Sequence, residues 1–290
     1  MPELPEVETV RRTLADAILG RPLGPMQLHR PDVLRDPDRL GPALADRRVV
    51  ELQRLGKQLA LCFEHGPVLC VHLGMSGQLR LTPPTPPPPT RPSPAPYVGP
   101  TAAAGARHVH ASWSLPDGRS LHFRDPRRFG GLWLFPSPQE LHRRRWDRLG
   151  PDALTVTPGR LHAALSRTRR ELKAALLDQT LVAGLGNIYV DELLFAVGHH
   201  PQRPASDLSP ADCRRLVAAM RRLLHRAIRT GGSTLRDYVD ATGQAGGFQH
   251  RFRAYGRHGQ PCPRCAQPLD RLTVAGRTTT ACRHCQRKAQ

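Results

Sequence analysis

CPRCAQPLDRLTVAGRTTTACRHC, residues 262–285, is the stretch that decides the C-terminal fold. Cys262 and Cys265 form one C-x-x-C pair, Cys282 and Cys285 a second, and 16 residues separate them. Four thiolates in this arrangement complete the tetrahedral shell of one structural Zn²⁺ and leave no coordination position open for substrate. His284 is an alternative ligand, but it would break the symmetric spacing. Between the pairs, Leu272 and Val274, the turn Ala275-Gly276 and a threonine run read as a β-hairpin carried on the metal, a zinc ribbon. Arg264, Arg271, Arg277, Arg283, Arg287 and Lys288 give the module a charge suited to a phosphate backbone.

Upstream of the ribbon the periodicity is helical. Residues 159–178 predict one helix and 187–197 a second. Ser209-Pro210 opens a third, with serine as N-cap and proline at the first position, running through Leu216, Met220, Leu223 and Leu224 to Gly231-Gly232. A glycine-rich loop follows, with Gly243, Gly246 and Gly247.

The N-terminal half reads differently. Val7, Val10, Leu14 and Ile18 predict a helix over 5–19, closed by Gly20. Strands are expected over 47–82, where Leu59, Leu61 and Phe63 alternate, as do Val68, Cys70 and His72. A second β block is expected over 108–135, with Val109, Ala111, Trp113 and Leu115 alternating before the hairpin turn Pro116-Asp117-Gly118. Between them, Pro83–Ala106 is too proline-dense for helix or strand and reads as a polyproline-type surface loop. The fold class is α+β: an antiparallel β-sandwich with a flanking helix over 1–149, a helical domain over 150–250 and a β-hairpin zinc finger over 251–290.

Charge points to a partner. The 290 residues hold 43 Lys+Arg against 24 Asp+Glu, a formal net charge of +19, which favours a polyanion such as nucleic acid. Arginine heavily outnumbers lysine, which occurs only at 57, 173 and 288. Codon bias explains arginine in place of lysine but not the surplus of positive charge. No apolar run reaches a membrane span of about 18 residues. The N-terminus lacks the basic and apolar regions of a signal peptide, so a cytoplasmic protein is expected. Cys62, Cys70 and Cys213 then read as buried thiols rather than disulfides.

The amino terminus can carry chemistry. Pro2 permits removal of Met1 and leaves a secondary amine. An α-amine titrates near about 8, against about 10.4 for lysine, so a larger fraction is a free nucleophile at neutral pH. Proline's own amine is somewhat more basic, which erodes this advantage, and the positive end of the following helix restores it by disfavouring the cation. A neutral amine can attack an electrophilic carbon and form an iminium. Glu3 and Glu6 lie close enough in sequence to shuttle protons.

These motifs occur together and in a fixed order. Pro2-Glu3-Leu4-Pro5-Glu6-Val7, Lys57, His72-Leu73-Gly74-Met75-Ser76-Gly77, Asp125-Pro126-Arg127-Arg128-Phe129-Gly130, Gly184-Leu185-Gly186-Asn187-Ile188-Tyr189 and the cysteine module together resemble the formamidopyrimidine-DNA glycosylase (Fpg/MutM) branch of the Fpg/Nei family. The resemblance implies an N-terminal β-sandwich, a helix-two-turns-helix domain and a C-terminal zinc finger. It implies a bifunctional glycosylase and AP lyase of base excision repair. Such an enzyme removes 8-oxoguanine and formamidopyrimidines from duplex DNA and then cuts the strand by β,δ-elimination. Pro2 resembles the nucleophile that attacks C1′, and Glu3 the acid/base that assists base release and sugar opening. Lys57 resembles the lysine that contacts phosphate and helps proton transfer in β-elimination. Arg277 matches the finger arginine assigned to phosphate contact and δ-elimination. His108, Arg127, Asn187 and Glu6 match DNA-binding positions, and Met75, Arg127 and Phe129 resemble the wedge that fills the gap left by an everted base.

Some positions depart from the family pattern. The segment before His108 is long, Thr168 stands where a basic DNA contact is typical, with Arg167 and Arg169 beside it, and Gly276 replaces a polar residue. The glycine-rich loop and Arg236 fall where the family closes over the base. The expected partner is duplex DNA holding oxidised bases or abasic sites, with no organic cofactor, no membrane and a monomeric chain. Two other readings remain open: an endonuclease VIII-like enzyme preferring oxidised pyrimidines, and a non-catalytic DNA-binding protein.

Overall fold

The computed structural model describes residues 1–35, 44–83 and 107–287, so the proline-rich loop expected at 83–106 lies almost wholly outside the described residues. The N-terminal part is a two-layer antiparallel β-sandwich. One sheet has the order β1-β3-β4-β5-β9, from Pro22–Leu23, Arg47–Leu55, Gln58–Phe63, Val68–His72 and Gly131–Phe135. The other has the order β2-β7-β8-β6, from Gln27–Leu28, Val109–Ser114, Ser120–Arg124 and Gln78–Thr82. Leu59, Leu61, Leu69 and Val71 of the first sheet share a core with Leu79, Trp113, Leu121 and Phe123 of the second. Helix α1 (Leu4–Ile18) enters the same core through Val7, Val10, Leu14 and Ile18. Each of these aliphatic side chains is almost wholly buried, which stabilises by about 1.5–3 kcal/mol apiece.

Strands β4 and β5 do not follow the one-sided alternation expected of them; nearly every residue is buried. The outer face, with Ala60, Cys62, Val68 and Cys70, is covered by Leu141 of helix α2 (Pro138–Arg144) and by Trp146. A strand sandwiched on both faces loses its period-two signature.

The helical part differs from expectation at one point. The single helix expected over 159–178 is two, α3 (Pro158–Leu165) and α4 (Leu172–Leu177). The break is made by pairing with a distant segment: Leu172 N–H donates to the Arg203 carbonyl, and Ala205 N–H to the Arg170 carbonyl. Thr168 consolidates it by accepting the Arg170 N–H at 3.3 Å. Helix α5 (Asn187–Val197) ends on Gly198 in the left-handed conformation. Helix α6 (Pro210–Arg229) carries the expected Ser209 cap, whose hydroxyl accepts the Asp212 N–H at 3.1 Å. Strands β10 (Asp270–Val274) and β11 (Arg277–Ala281) form the expected hairpin around Ala275-Gly276.

Residues at the start of α1 join the halves. Leu4 belongs to the helical core, and its N–H donates to the Gly184 carbonyl at 3.0 Å. Tyr238 and Ala241, beyond α6, return to the sandwich core, and Leu81 N–H donates to the Ala241 carbonyl at 2.8 Å. Residue 2 therefore sits at the seam between sandwich and helices.

Candidate active site and nucleic-acid interface

A cavity of about 570 Å³ opens at this seam, and Pro2 lines it. Met1 still precedes Pro2 and is about half exposed, so its removal would bare the proline nitrogen at the cavity.

Glu3 is buried at the amino end of α5. Its carboxylate accepts the N–H groups of Gly186 at 2.7 Å, Ile188 at 2.9 Å and Tyr189 at 3.3 Å. Unpaired amides and the positive end of the helix are a natural anion site. The packing admits no side chain at residue 186, where a Cβ would stand 2.5 Å from Glu3 Cδ. Burial is the largest influence and raises the Glu3 pKa above the ordinary carboxylate value, against the lowering pull of Lys57 and the three amides. Glu3 is thus disposed to hold a proton until a partner takes it.

Glu6 lies beneath Glu3. It accepts the Glu3 N–H at 2.9 Å, the Tyr189 hydroxyl at 2.6 Å and the Ser233 N–H at 2.7 Å. Burial, reinforced by the Glu3 charge, pushes its pKa up to about 7. Its carboxylate is saturated by protein donors, and Glu6 also lines the Pro2 cavity, so it braces the amino terminus from within the site. The sequence carries Tyr189 only as one residue of the Gly184–Tyr189 motif and gives Ser233 no role; Gly231-Gly232 marks the helix end just before Ser233, but not what that end delivers.

Lys57 sits at the tip of the β3–β4 hairpin. The turn is fastened by Asp152, which accepts the Gly56 N–H at 2.8 Å. Lys57 is buried, and burial lowers its pKa; Glu3 and Glu6 oppose the shift and Arg277 adds to it. The hairpin of the zinc finger therefore brings Arg277 within electrostatic reach of Lys57. That placement rests on a buried link. Lys173 Nζ donates to Asp191 Oδ1 at 2.6 Å and Thr279 Oγ1 at 2.8 Å, while Asp191 accepts the Thr280 N–H at 3.1 Å. Asn187 adds a contact to the Thr278 carbonyl at 2.9 Å.

Met75, Arg127 and Phe129 stand exposed on two adjoining loops, with the Arg127 guanidinium 5.1 Å from the Phe129 ring centroid. Buried Asp125 ties the loops, accepting from the Ser76 hydroxyl at 2.6 Å and the Gly130 N–H at 2.7 Å. Gly74 makes the approach possible: its φ is +59°, and a Cβ there would lie 2.3 Å from the Gly130 nitrogen. Met75 and Arg127 also line the cavity, together with Leu235, Arg236 and Tyr255. The glycine-rich loop lies behind this wall. A Cβ at Gly246 would meet the Gly232 carbonyl at 2.3 Å, so the two backbones are pressed together behind residues 233–238.

Three further positions lie outside the cavity lining. His108 is exposed, with φ +66°, just before β7. His110, two residues on, is buried with Nε2 2.7 Å from the Asp125 carbonyl, beside a register shift between Val109 and Ala111. Thr168 turns its hydroxyl to Arg170, leaving exposed Arg167 and Arg169 as the charges of that turn.

The sulfurs of Cys262, Cys265, Cys282 and Cys285 all lie within 4.8 Å of one another. Cys265 and Cys282 are 3.5 Å apart and Cys262 and Cys285 3.9 Å apart, too far for disulfides. A tetrahedron of Zn–S bonds about 2.3 Å long has edges near 3.8 Å, so the residues fit one structural zinc.

The comparisons with known proteins match this geometry segment by segment. Residues 1–132 match the formamidopyrimidine-DNA glycosylase N-terminal domain, 149–239 the H2TH domain of the same enzymes, and 259–287 the zinc finger found in FPG and IleRS. The formamidopyrimidine-DNA glycosylase of Thermomicrobium roseum is 42% identical, covering 99% of both chains. The crystal structure of the MutM (FPG) protein of Thermus thermophilus superposes with a TM-score of 0.82 at 40% identity over the whole of both chains. The Fpg of Lactococcus lactis, solved with DNA containing an abasic site, gives 0.84 at 31% identity over 99% of this chain and 100% of that one.

Proposed function

This chain belongs to the formamidopyrimidine-DNA glycosylase family, and we propose from that premise how its residues act as a glycosylase and AP lyase of base excision repair. The substrate is duplex DNA with an oxidised purine, 8-oxoguanine or a formamidopyrimidine. The single observation that carries the reading is Pro2 at the wall of a lesion-sized cavity, with buried Glu3 next to it in the chain.

After removal of Met1, the Pro2 nitrogen attacks C1′ of the damaged nucleotide. The N–C1′ bond forms as the bond to the base breaks, and the departing base takes up the proton that the Pro2 nitrogen releases. Glu3, held at a raised pKa, supplies a proton to the opening sugar, and an iminium remains on Pro2. Lys57, with a lowered pKa, orients the neighbouring phosphate and assists removal of the C2′ proton, which expels the 3′ phosphate. Arg277 binds the phosphate that leaves in the second elimination. Zinc takes part in none of these steps; it fixes the hairpin that presents Arg277.

Met75, Arg127 and Phe129 enter the base stack as the nucleotide swings out, offsetting an extrusion cost of a few kcal/mol. His108, Asn187 and the Arg167–Arg169 turn hold the backbone, with Thr168 shaping that turn. Glu6 supports the Pro2–Glu3 segment from below. The division at 1–149, 150–250 and 251–290 is part of this reading, as is a cytoplasmic, nucleoid-associated location.

Duplexes with 8-oxoguanine and with dihydrothymine test the substrate class. Faster cleavage of the 8-oxoguanine duplex is expected. Preferential cleavage of dihydrothymine would place the chain with the pyrimidine-specific branch.

A further inference from the structure

A second concavity, of about 510 Å³, lies between α5, α6 and the segment entering the zinc finger. It shares no lining residue with the Pro2 cavity. Its floor is apolar, made by Ala196, Val197, Ala219, Leu223 and Phe248. Its rim carries Arg215, Arg222 and Arg226 from α6, Arg251 and Arg253 from the following segment, and Arg264 from the finger. All six are exposed.

Little of this charge is neutralised by carboxylates among the described residues. Glu192 is the carboxylate lining the groove, and its oxygens accept the N–H groups of Arg253, Ala254 and Tyr255 at 2.8–3.0 Å. Asp212 engages Arg215 alone among the rim arginines. Arg222, Arg226 and Arg251 have no ion pair among the described residues. Arg222 and Arg226 are four apart on one helix, a like-charge spacing that destabilises the helix by a few tenths of a kcal/mol unless an anion lies between them.

The groove also lies away from the DNA-gripping end of α5. Asn187 opens that helix and Ala196 is nine residues on, about 13 Å along the axis. A nucleic-acid backbone would satisfy the arginines but leave the aliphatic floor bare. Bases would find no platform, since the one aromatic ring in the floor, Phe248, is 2% exposed. Carboxylates suit the planar guanidinium fork, and aliphatic side chains suit the floor.

We propose that this groove docks an acidic, leucine-bearing peptide segment of a partner protein. The reading is independent of the chemistry at Pro2. The test uses the full zinc-loaded chain and a fluorescent peptide of glutamates interrupted by leucines, with an all-glutamate peptide for comparison. Polarisation should show tighter binding of the mixed peptide. Arg222→Glu with Arg226→Glu should weaken it about tenfold or more while lesion cleavage stays at the unsubstituted rate. Arg251→Glu, on a separate element, should act in the same direction. Equal binding of both peptides, or binding indifferent to these substitutions, would overturn the proposal. So would loss of DNA affinity and cleavage in the folded variants, which would assign the groove to nucleic acid.

Discussion

Glu3 accepts the Ile188 N–H at 2.9 Å, across a separation of 185 residues, and so fixes the chain's amino terminus to the first turn of α5. A glutamine here keeps one acceptor oxygen for the helix amides, sets its NH2 against the remaining N–H, and has no titrating proton. Glu3→Gln should therefore lower base excision by about 10²–10⁴-fold while leaving strand cleavage at a preformed abasic site less affected. Single-turnover assays on the two substrates check this; equal losses on both would remove Glu3 from the excision step.

Glu6 makes a pH-dependent contribution to stability. Its pKa rises from the ordinary carboxylate value to about 7 in the fold, so the folded state binds its proton more tightly than the unfolded chain. The stability is full below about 4.5 and is lost as pH rises toward about 7, a change of a few kcal/mol. Glu3 shifts in the same direction. Glu6→Gln should flatten, without abolishing, the fall in urea-unfolding free energy across that window.

The Lys173–Asp191 pair is wholly buried at 2.6 Å and joins α4 and α5 to β11. Removing one partner leaves an uncompensated charge, at a cost of about 3–5 kcal/mol. Lys173→Met should raise hydrogen exchange through 270–281, where Arg277 is presented, and weaken DNA binding while the four cysteines still hold zinc.

Zinc removal should be local in effect. Cys262 and Cys282 share a small core with Phe195, Ala254 and Leu269, separate from the sandwich. Chelation should unfold the finger and weaken DNA binding, with exchange in β4 and β5 unchanged. Loss of protection in those strands would contradict it.

Locally encoded features were legible in the sequence. The cysteine spacing, the Ser209-Pro210 cap and the Asn187–Val197 helix each depend on neighbours within one or two turns. Long-range pairing was not. The break after Leu165 depends on the 203–205 segment, and burial of β4 and β5 depends on Trp146. At the site, Pro2 and Lys57 stood out through the resemblance of their motifs. The Tyr189–Glu6–Ser233 bonds and the Lys173 link join residues whose types are ordinary and whose meaning comes only from contact.

The central claim is that the Pro2 amine carries the covalent intermediate. Correctly processed protein, starting at Pro2, would be reduced with borohydride during turnover of an 8-oxoguanine duplex, digested and sequenced by mass spectrometry. The adduct should lie on the N-terminal peptide, on the proline nitrogen. An adduct on the peptide containing Lys57, or none from active and fully processed protein, would contradict it.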